Sequence, residues 1–270
     1  MKKNAGLSVL FLLLASFCCL HGTRASFADD SAVVANSQET KESIRVALYQ
    51  GAGASKGCVA ATKKILDETE EFEADFISAE EIQSGKLKEY DVVIFPGGTG
   101  NGESKALGDK GWEELHTFVR NGGGYVGVCA GAYLALYKPN RSTRNLIAAE
   151  QQKGDWRRGK ATLEIEFTEE GRQALGAPEG RVKIAYQNGP IFHRAETNEL
   201  EPYVVLAYFR TEVAKNDSPK GVQIDSPAIV AGEYGAGRVL ICSPHPELTP
   251  DLHYLTVNKV KYVARKAESL

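Results

Sequence analysis

Cys129 is the residue whose setting most directly suggests chemistry. It lies in Tyr125-Val126-Gly127-Val128-Cys129-Ala130-Gly131-Ala132, where a buried strand runs into Gly-x-Cys-x-Gly and then into an apolar helix. A nucleophile on such a sharp strand-to-helix turn projects out of the sheet toward a ligand. The flanking glycines have a steric reason, because the turn is strained and side chains there would collide with neighbouring backbone. The positive end of the helix dipole also favours thiolate over thiol. Taken alone, the pattern favours the elbow over the alternative, a buried structural cysteine beside helix-packing glycines, and chemistry requires partners.

The partners lie far downstream. A strand over Arg238 to Cys242 delivers Ser243-Pro244-His245-Pro246-Glu247. The two prolines predict an extended segment, in which residues two apart point to the same side. His245 and Glu247 then project together, the carboxylate orienting the imidazole and the imidazole serving Cys129. Of the other histidines, His116 and His253 are expected at the surface, and His193, just past Asn188-Gly189-Pro190, is the reserve base. A zinc site on Cys129 and His245 lacks further convincing ligands, and no metal or cofactor is expected.

A third element is Phe95-Pro96-Gly97-Gly98-Thr99-Gly100, a glycine pair at the carboxyl end of a central strand. The N–H groups of Gly97 and Gly98, with that of Ala130, are candidates for an oxyanion hole. One such donor is typically worth ~3 kcal/mol in the transition state. Asn188 and Gly189 are candidates for lining the pocket, although Tyr186 to Pro190 also reads as a plain turn. All these elements fall at carboxyl ends of strands, where open α/β sheets bind ligands.

The elements that must position these residues emerge from patterning. Strands are expected at Ser43–Tyr49, Phe72–Ile77, Asp91–Phe95 and Tyr125–Val128, with helices at Ser55–Glu70, Ala79–Ile82 and Trp112–Arg120. Alternating strand and helix implies a parallel, doubly wound sheet. The later strands, Ala161–Phe167, Val182–Tyr186, Tyr203–Phe209, Ala228–Glu233 and Arg238–Cys242, include an alternating one and a hairpin, and Leu255–Lys266 reads as a closing helix.

Lys2 and Lys3, an apolar run from Leu7 to Leu20 and the small-residue stretch Thr23 to Ala28 describe a secretory leader, residues 1–28. Next come a polar arm over 29–42 and one domain over 43–270. The run is short for a membrane span, so a periplasmic or secreted protein is expected, with no span after leader removal. About 240 residues remain, enough for one large core. The chain carries 32 basic and 35 acidic side chains, and the leader holds Lys2, Lys3 and Arg24 without an acid, so the remainder of the chain is still more acidic. No nucleic-acid footprint is present. Between Lys138 and Lys160, seven basic residues face Glu150 and Asp155, a solvated loop or a rim for an anionic substrate. Removing the leader leaves Cys58, Cys129 and Cys242, an odd number. A Cys58–Cys242 bridge is conceivable, and two buried unpaired thiols are the plainer reading.

The Gly-x-Cys-x-Gly turn, His245-Pro246-Glu247 and Pro96-Gly97-Gly98 resemble the class I glutamine amidotransferase-like superfamily. Tyr49-Gln50-Gly51-Ala52-Gly53-Ala54-Ser55 and Tyr186 to Phe192 narrow the similarity to the domain at the N-terminus of fungal biotin-protein ligases and its stand-alone bacterial forms. The resemblance implies a flavodoxin-like three-layer α/β sandwich with a mostly parallel central sheet. It implies Cys129 as nucleophile, His245 as base and acid, and Glu247 as orienting carboxylate. Ligase activity is not implied, since no Gly-Arg-Gly-type nucleotide loop or second domain is present in this sequence. For an exported chain the expectation is an amide hydrolase acting on a small-molecule or peptide amide, of no assigned oligomeric state. A non-catalytic module with an amidotransferase-like pocket, or a redox role for Cys129, are the alternatives.

Overall fold

A computed structural model describes residues 43–140, 142–152 and 157–265. The expected leader and arm lie outside the described residues. Along the chain run β1 (Ile44–Tyr49), α1 (Lys56–Asp67), β2 (Phe72–Ile77), α2 (Ala79–Gln83), β3 (Val92–Phe95), α3 (Gly100–Arg120), β4 (Gly124–Val128) and α4 (Ala130–Ala135). Beyond them are β5 (Ala149–Gln151), β6 (Lys160–Phe167), α5 (Glu169–Leu175), β7 (Arg181–Gln187), β8 (Phe192–Arg194), β9 (Val204–Phe209), β10 (Pro227–Tyr234), β11 (Gly237–Cys242) and α6 (His253–Ala264).

Nine strands form one sheet in the order β2-β1-β3-β4-β11-β10-β9-β6-β7. The first five are parallel, and β10, β9, β6 and β7 continue antiparallel. The central parallel strands β3, β4 and β11 are buried on both sides because both faces are covered, whereas the edge strand β2 is half exposed. Val46, Leu48, Val92, Ile94, Val126 and Val128 enter one core with residues of α1, α5 and α6. Ala47, Tyr49, Val93, Phe95 and Tyr125 enter the other, with residues of α2, α3 and α4. The result is the expected three-layer α/β sandwich.

Aromatic side chains fix the centre of the second core. The Phe95 ring stacks on Tyr49 at 4.8 Å and on Tyr125 at 5.7 Å. Burying a Phe contributes ~2 kcal/mol, and each well-placed aromatic pair adds roughly 1 kcal/mol. The Tyr125 hydroxyl donates to the Gly131 carbonyl at 2.7 Å and so pins the first turn of α4 to the sheet. Packing is thereby linked directly to the elbow.

The expected elements are present, with shifted ends. The main difference is α3, which begins at Gly100 rather than Trp112 and bends at Gly108 (φ 58°, ψ −173°). The bend breaks the helical phase, so the apolar spacing that marks Trp112 onward does not extend back across it. The segment after β11 also departs from expectation. Pro246–Leu248 is a 3₁₀ turn, not an extended run, with Leu248 N–H donating to the His245 carbonyl at 3.2 Å. Proline is well suited to the first helical position, because its missing N–H would have no partner there.

Candidate active site

The site lies at the carboxyl ends of β1, β3, β4 and β11. Cys129 comes directly after β4 and adopts φ 50°, ψ −95°, an unusual backbone for a residue with a side chain. Its N–H donates to the Cys242 carbonyl at 2.9 Å, tying the elbow to β11. The glycines either side have no space for a Cβ. One at Gly127 would lie 2.5 Å from the Gly131 carbonyl oxygen, and one at Gly131 would lie 2.1 Å from that of Phe95. The strained turn therefore persists because its surroundings leave no alternative.

His245 and Glu247 meet as a buried pair, with His245 Nδ1 2.7 Å from Glu247 Oε1. The 3₁₀ turn, not strand alternation, brings the two side chains together. The His245 N–H donates to the Ala185 carbonyl at 2.8 Å, so β7 also holds this segment. Burial opposes a charge on His245. The nearby Cys129 and Cys58 sulfurs, the Glu247 hydrogen bond and the Glu247 charge outweigh that, raising its pKa well above the ordinary 6.5. Burial likewise opposes charge on Glu247, but the His245 hydrogen bond and the positive charges of His245 and Lys259 lower its pKa. Lys259, itself buried on α6, is a contributor that sequence reasoning did not single out.

Cys129 and His245 line one cavity of about 840 Å³. Cys129 is near enough to influence the imidazole, yet His245 Nε2 has no hydrogen-bond partner in the resting arrangement. The thiol instead faces the Gln187 carbonyl oxygen at 3.4 Å. Catalytic hydrogen bonds are often incomplete before a substrate is bound.

The remaining predicted residues divide. Gly98 and Asn188 line the cavity. Gly97 sits beneath it, where a Cβ would be 2.7 Å from His245 Cε1 and 2.8 Å from Cys58 Sγ. Ala130 opens α4, so its N–H is among those a helix leaves without an internal partner. Gly189 packs beside the cavity, where a Cβ would be 2.2 Å from the Ser243 carbonyl oxygen. Asn188 takes a positive φ of 54°, and its side-chain oxygen accepts from Gly159 N–H at 2.7 Å.

The other histidines are elsewhere. His193 lies on β8 against the Gln151 carbonyl, outside this cavity. His116 is not at the surface as expected. It is buried on α3 with Nδ1 2.7 Å from Tyr234 Oη, and desolvation, aided by Arg120, lowers its pKa to about 4.

All three described cysteines are free and buried. Cys58, on α1, is the site residue that sequence reasoning missed: it lines the cavity, with Sγ 3.9 Å from His245 Nδ1. Its only sequence signal is its place in the first turn after Gly51-Ala52-Gly53. The donor atoms of Cys58, His245 and Glu247 all lie within 4.8 Å of one another, a set able to hold a soft divalent cation. A cation on Nδ1 would displace the Glu247 hydrogen bond. Glu103, on α3, is fully buried, with both carboxyl oxygens unpartnered, and desolvation raises its pKa well above the ordinary 4.5.

This sandwich, with a cysteine elbow after one strand and a His-Glu pair after its neighbour, is similar to the class I glutamine amidotransferase-like proteins. More narrowly, residues 44–141 match the family described as "Biotin-protein ligase, N terminal". A subunit of pyridoxal 5'-phosphate synthase, PdxT of Koribacter versatilis, is 28% identical over 188 residues, covering 65% of this chain and 79% of that protein. Among solved structures, PurLQS from Thermotoga maritima superposes with a TM-score of 0.57 at 15% identity, over 82% of this chain and 99% of that one. A putative ThuA-like protein from Bacteroides uniformis gives a TM-score of 0.57 at 16% identity, over 89% and 95%. These structural likenesses concern the fold.

Proposed function

We propose that the protein is an exported cysteine-dependent amide hydrolase acting through Cys129, His245 and Glu247. The observation that carries this reading is the Cys129 elbow opening into the same cavity as an imidazole hydrogen-bonded to a buried carboxylate at 2.7 Å. A His245 that favours its protonated form is the counter-charge a Cys129 thiolate needs. The sulfur adds to the amide carbonyl carbon, and the oxyanion that forms is met by amides drawn from Gly97, Gly98 and Ala130. Collapse breaks the C–N bond as His245 protonates the departing amine. Water, deprotonated by His245, then adds to the thioester and releases the acid and the thiol. Glu247 keeps the imidazole in one tautomer and orientation throughout.

Export is supported by the leader-like start of the sequence, and it favours hydrolysis over delivery of ammonia to an ATP-consuming partner. Incubating the protein with a panel of γ-glutamyl and peptide amides, with intact-mass and peptide analysis afterwards, tests the proposal. An acyl adduct on Cys129 that accumulates and then turns over is expected. Absence of adduct and of amine release across the panel counts against it. The partnerless Nε2 of His245 is the one observation favouring a binding-only pocket. Such a pocket would retain the panel's ligands without ever acylating Cys129.

A further inference from the structure

We propose that Cys58, His245 and Glu247 form a binding site for one zinc ion, and that the bound ion switches Cys129 off. The site stands on its own geometry; only its consequence rests on the hydrolase reading. One thiolate, one imidazole and one carboxylate make a zinc ligand set that leaves the fourth position open. Their donor atoms lie within 4.8 Å of one another, with Nδ1 3.9 Å from Cys58 Sγ and 2.7 Å from Glu247 Oε1. Tetrahedral zinc sets such donors roughly 3.3–3.6 Å apart, so side-chain shifts of about 1 Å complete the set. Cys58 and His245 line the cavity, which gives the ion its way in.

The donors are held where they meet by built structure. Ser55 N–H donates to the Gly97 carbonyl at 2.8 Å, and Val59 N–H to the Ser55 carbonyl at 2.9 Å. The first turn of α1, which carries Cys58, is thereby tied to the end of β3. His245 is anchored by its N–H on the Ala185 carbonyl, and Glu247 lies in the 3₁₀ turn that follows. Gly97 lets thiol and ring approach: a Cβ there would lie 2.8 Å from Cys58 Sγ and 2.7 Å from His245 Cε1, forcing one of them away. Glu247 supplies an independent sign of a ligand. It is 2% exposed, and its Oε2 has no hydrogen-bond partner, so the carboxylate keeps binding capacity that His245 does not use. No step at Cys129 calls on Cys58.

Binding balances in protons and charge. Zn²⁺ replaces the Cys58 thiol proton and the proton on Nδ1, both of which pass to solvent, and the ring keeps its remaining proton on Nε2. The two positive charges of the ion then face one thiolate and one carboxylate. With Nδ1 on the metal, the ring can neither accept a proton from Cys129 nor carry the positive charge that its thiolate needs. Mg²⁺ and Ca²⁺ prefer oxygen donors throughout, so a thiolate and an imidazole exclude them. Cys242 is no rival ligand, being fully buried with its Sγ donating to the Pro244 carbonyl at 3.2 Å.

The test uses Zn²⁺ and its coloured stand-in Co²⁺ on protein first stripped of metal with a chelator. In Cys129→Ala, one equivalent of Co²⁺ should give thiolate-to-cobalt absorption that Zn²⁺ abolishes, and Cys129→Ala/Cys58→Ser should lack it. In wild type, Zn²⁺ should slow iodoacetamide labelling of Cys129 by roughly 10-fold or more, against under about 2-fold in Cys58→Ser, with Mg²⁺ inert in both. Equal slowing in wild type and Cys58→Ser would put the ion on Cys129 itself and overturn the inference, as would absence of thiolate absorption in Cys129→Ala. A readout that needs no variant at Cys58 is the mapped alkylation of Cys58 in wild type, which Zn²⁺ must slow; an unchanged rate also overturns the inference. Slow labelling of Cys129 without zinc speaks against the hydrolase alone, and the cobalt absorption then still decides the metal site.

Discussion

The two halves of the sheet do different work. The parallel half, β1 to β4 with β11, ends in the turns that carry Ser55, Gly97, Cys129 and His245. The antiparallel half, β10, β9, β6 and β7, carries none of the proposed triad, yet its last strand closes the site. Although β7 is at the far edge of the strand order, Ala185 pairs with His245 and the Gln187 carbonyl meets the Cys129 sulfur. That half must therefore curl back over the strand ends. The lesson is a division between a rigid parallel platform that aims the reacting groups and an antiparallel wall that fixes and encloses them.

Four substitutions test this division. Cys129→Ala, on the platform, should lower amide hydrolysis roughly 10⁴-fold or more while leaving the thermal transition nearly in place, as read by amine release and calorimetry. Glu247→Gln should cost roughly 10²–10⁴-fold in kcat, since the imidazole loses its orienting carboxylate. A comparable loss from residues of the antiparallel half would erase the distinction. Thr249→Val cuts a direct tie between the halves. Its Oγ1 accepts from Ala185 N–H and donates to the His245 carbonyl, both at 3.0 Å. Loss of both bonds should cost about 1–3 kcal/mol by urea unfolding, with a few-fold drop in kcat. Arg210→Ala, far out on the antiparallel half, removes ion pairs to Glu166 and Asp225. Its expected cost is under about 1 kcal/mol, with unchanged turnover.

A pH prediction separates the platform's stability from its chemistry. Glu103 has a folded pKa raised above its unfolded value of 4.5. The folded state therefore holds the proton more tightly, and stability falls as pH rises from 4.5 through the folded pKa. Glu103→Gln should remove that part of the slope, so the variant gains on wild type with increasing pH in chemical unfolding at about pH 5 and about pH 8. A constant difference across that window would show that the carboxyl is not held neutral by burial.

Much of this was legible in the sequence, for identifiable reasons. The continuous apolar runs of β3 and β4 announced strands covered on both faces, and Gly127 and Gly131 announced the elbow because no other residue fits those contacts. His245 and Glu247 were paired correctly for the wrong reason, since a 3₁₀ turn, not an extended chain, joins them. Proline restricts its neighbours but does not choose between a strand and a first helical turn. The short α5 was missed despite Thr168 accepting from Gly171 N–H and the left-handed Gly176 at its end, because so short a helix leaves too little periodicity to see. Cys58 and the buried Lys259 were invisible as site residues. Their roles come from packing α1 and α6 against the segment after β11, which no local pattern records.

Whether His245 acts on the Cys129 sulfur is read most directly from the iodoacetamide labelling rate of Cys129 at neutral pH in wild type and in His245→Ala. An imidazole that sustains the thiolate predicts fast wild-type labelling that slows by about 10-fold or more in the variant. Equal, slow rates in the two proteins would contradict it.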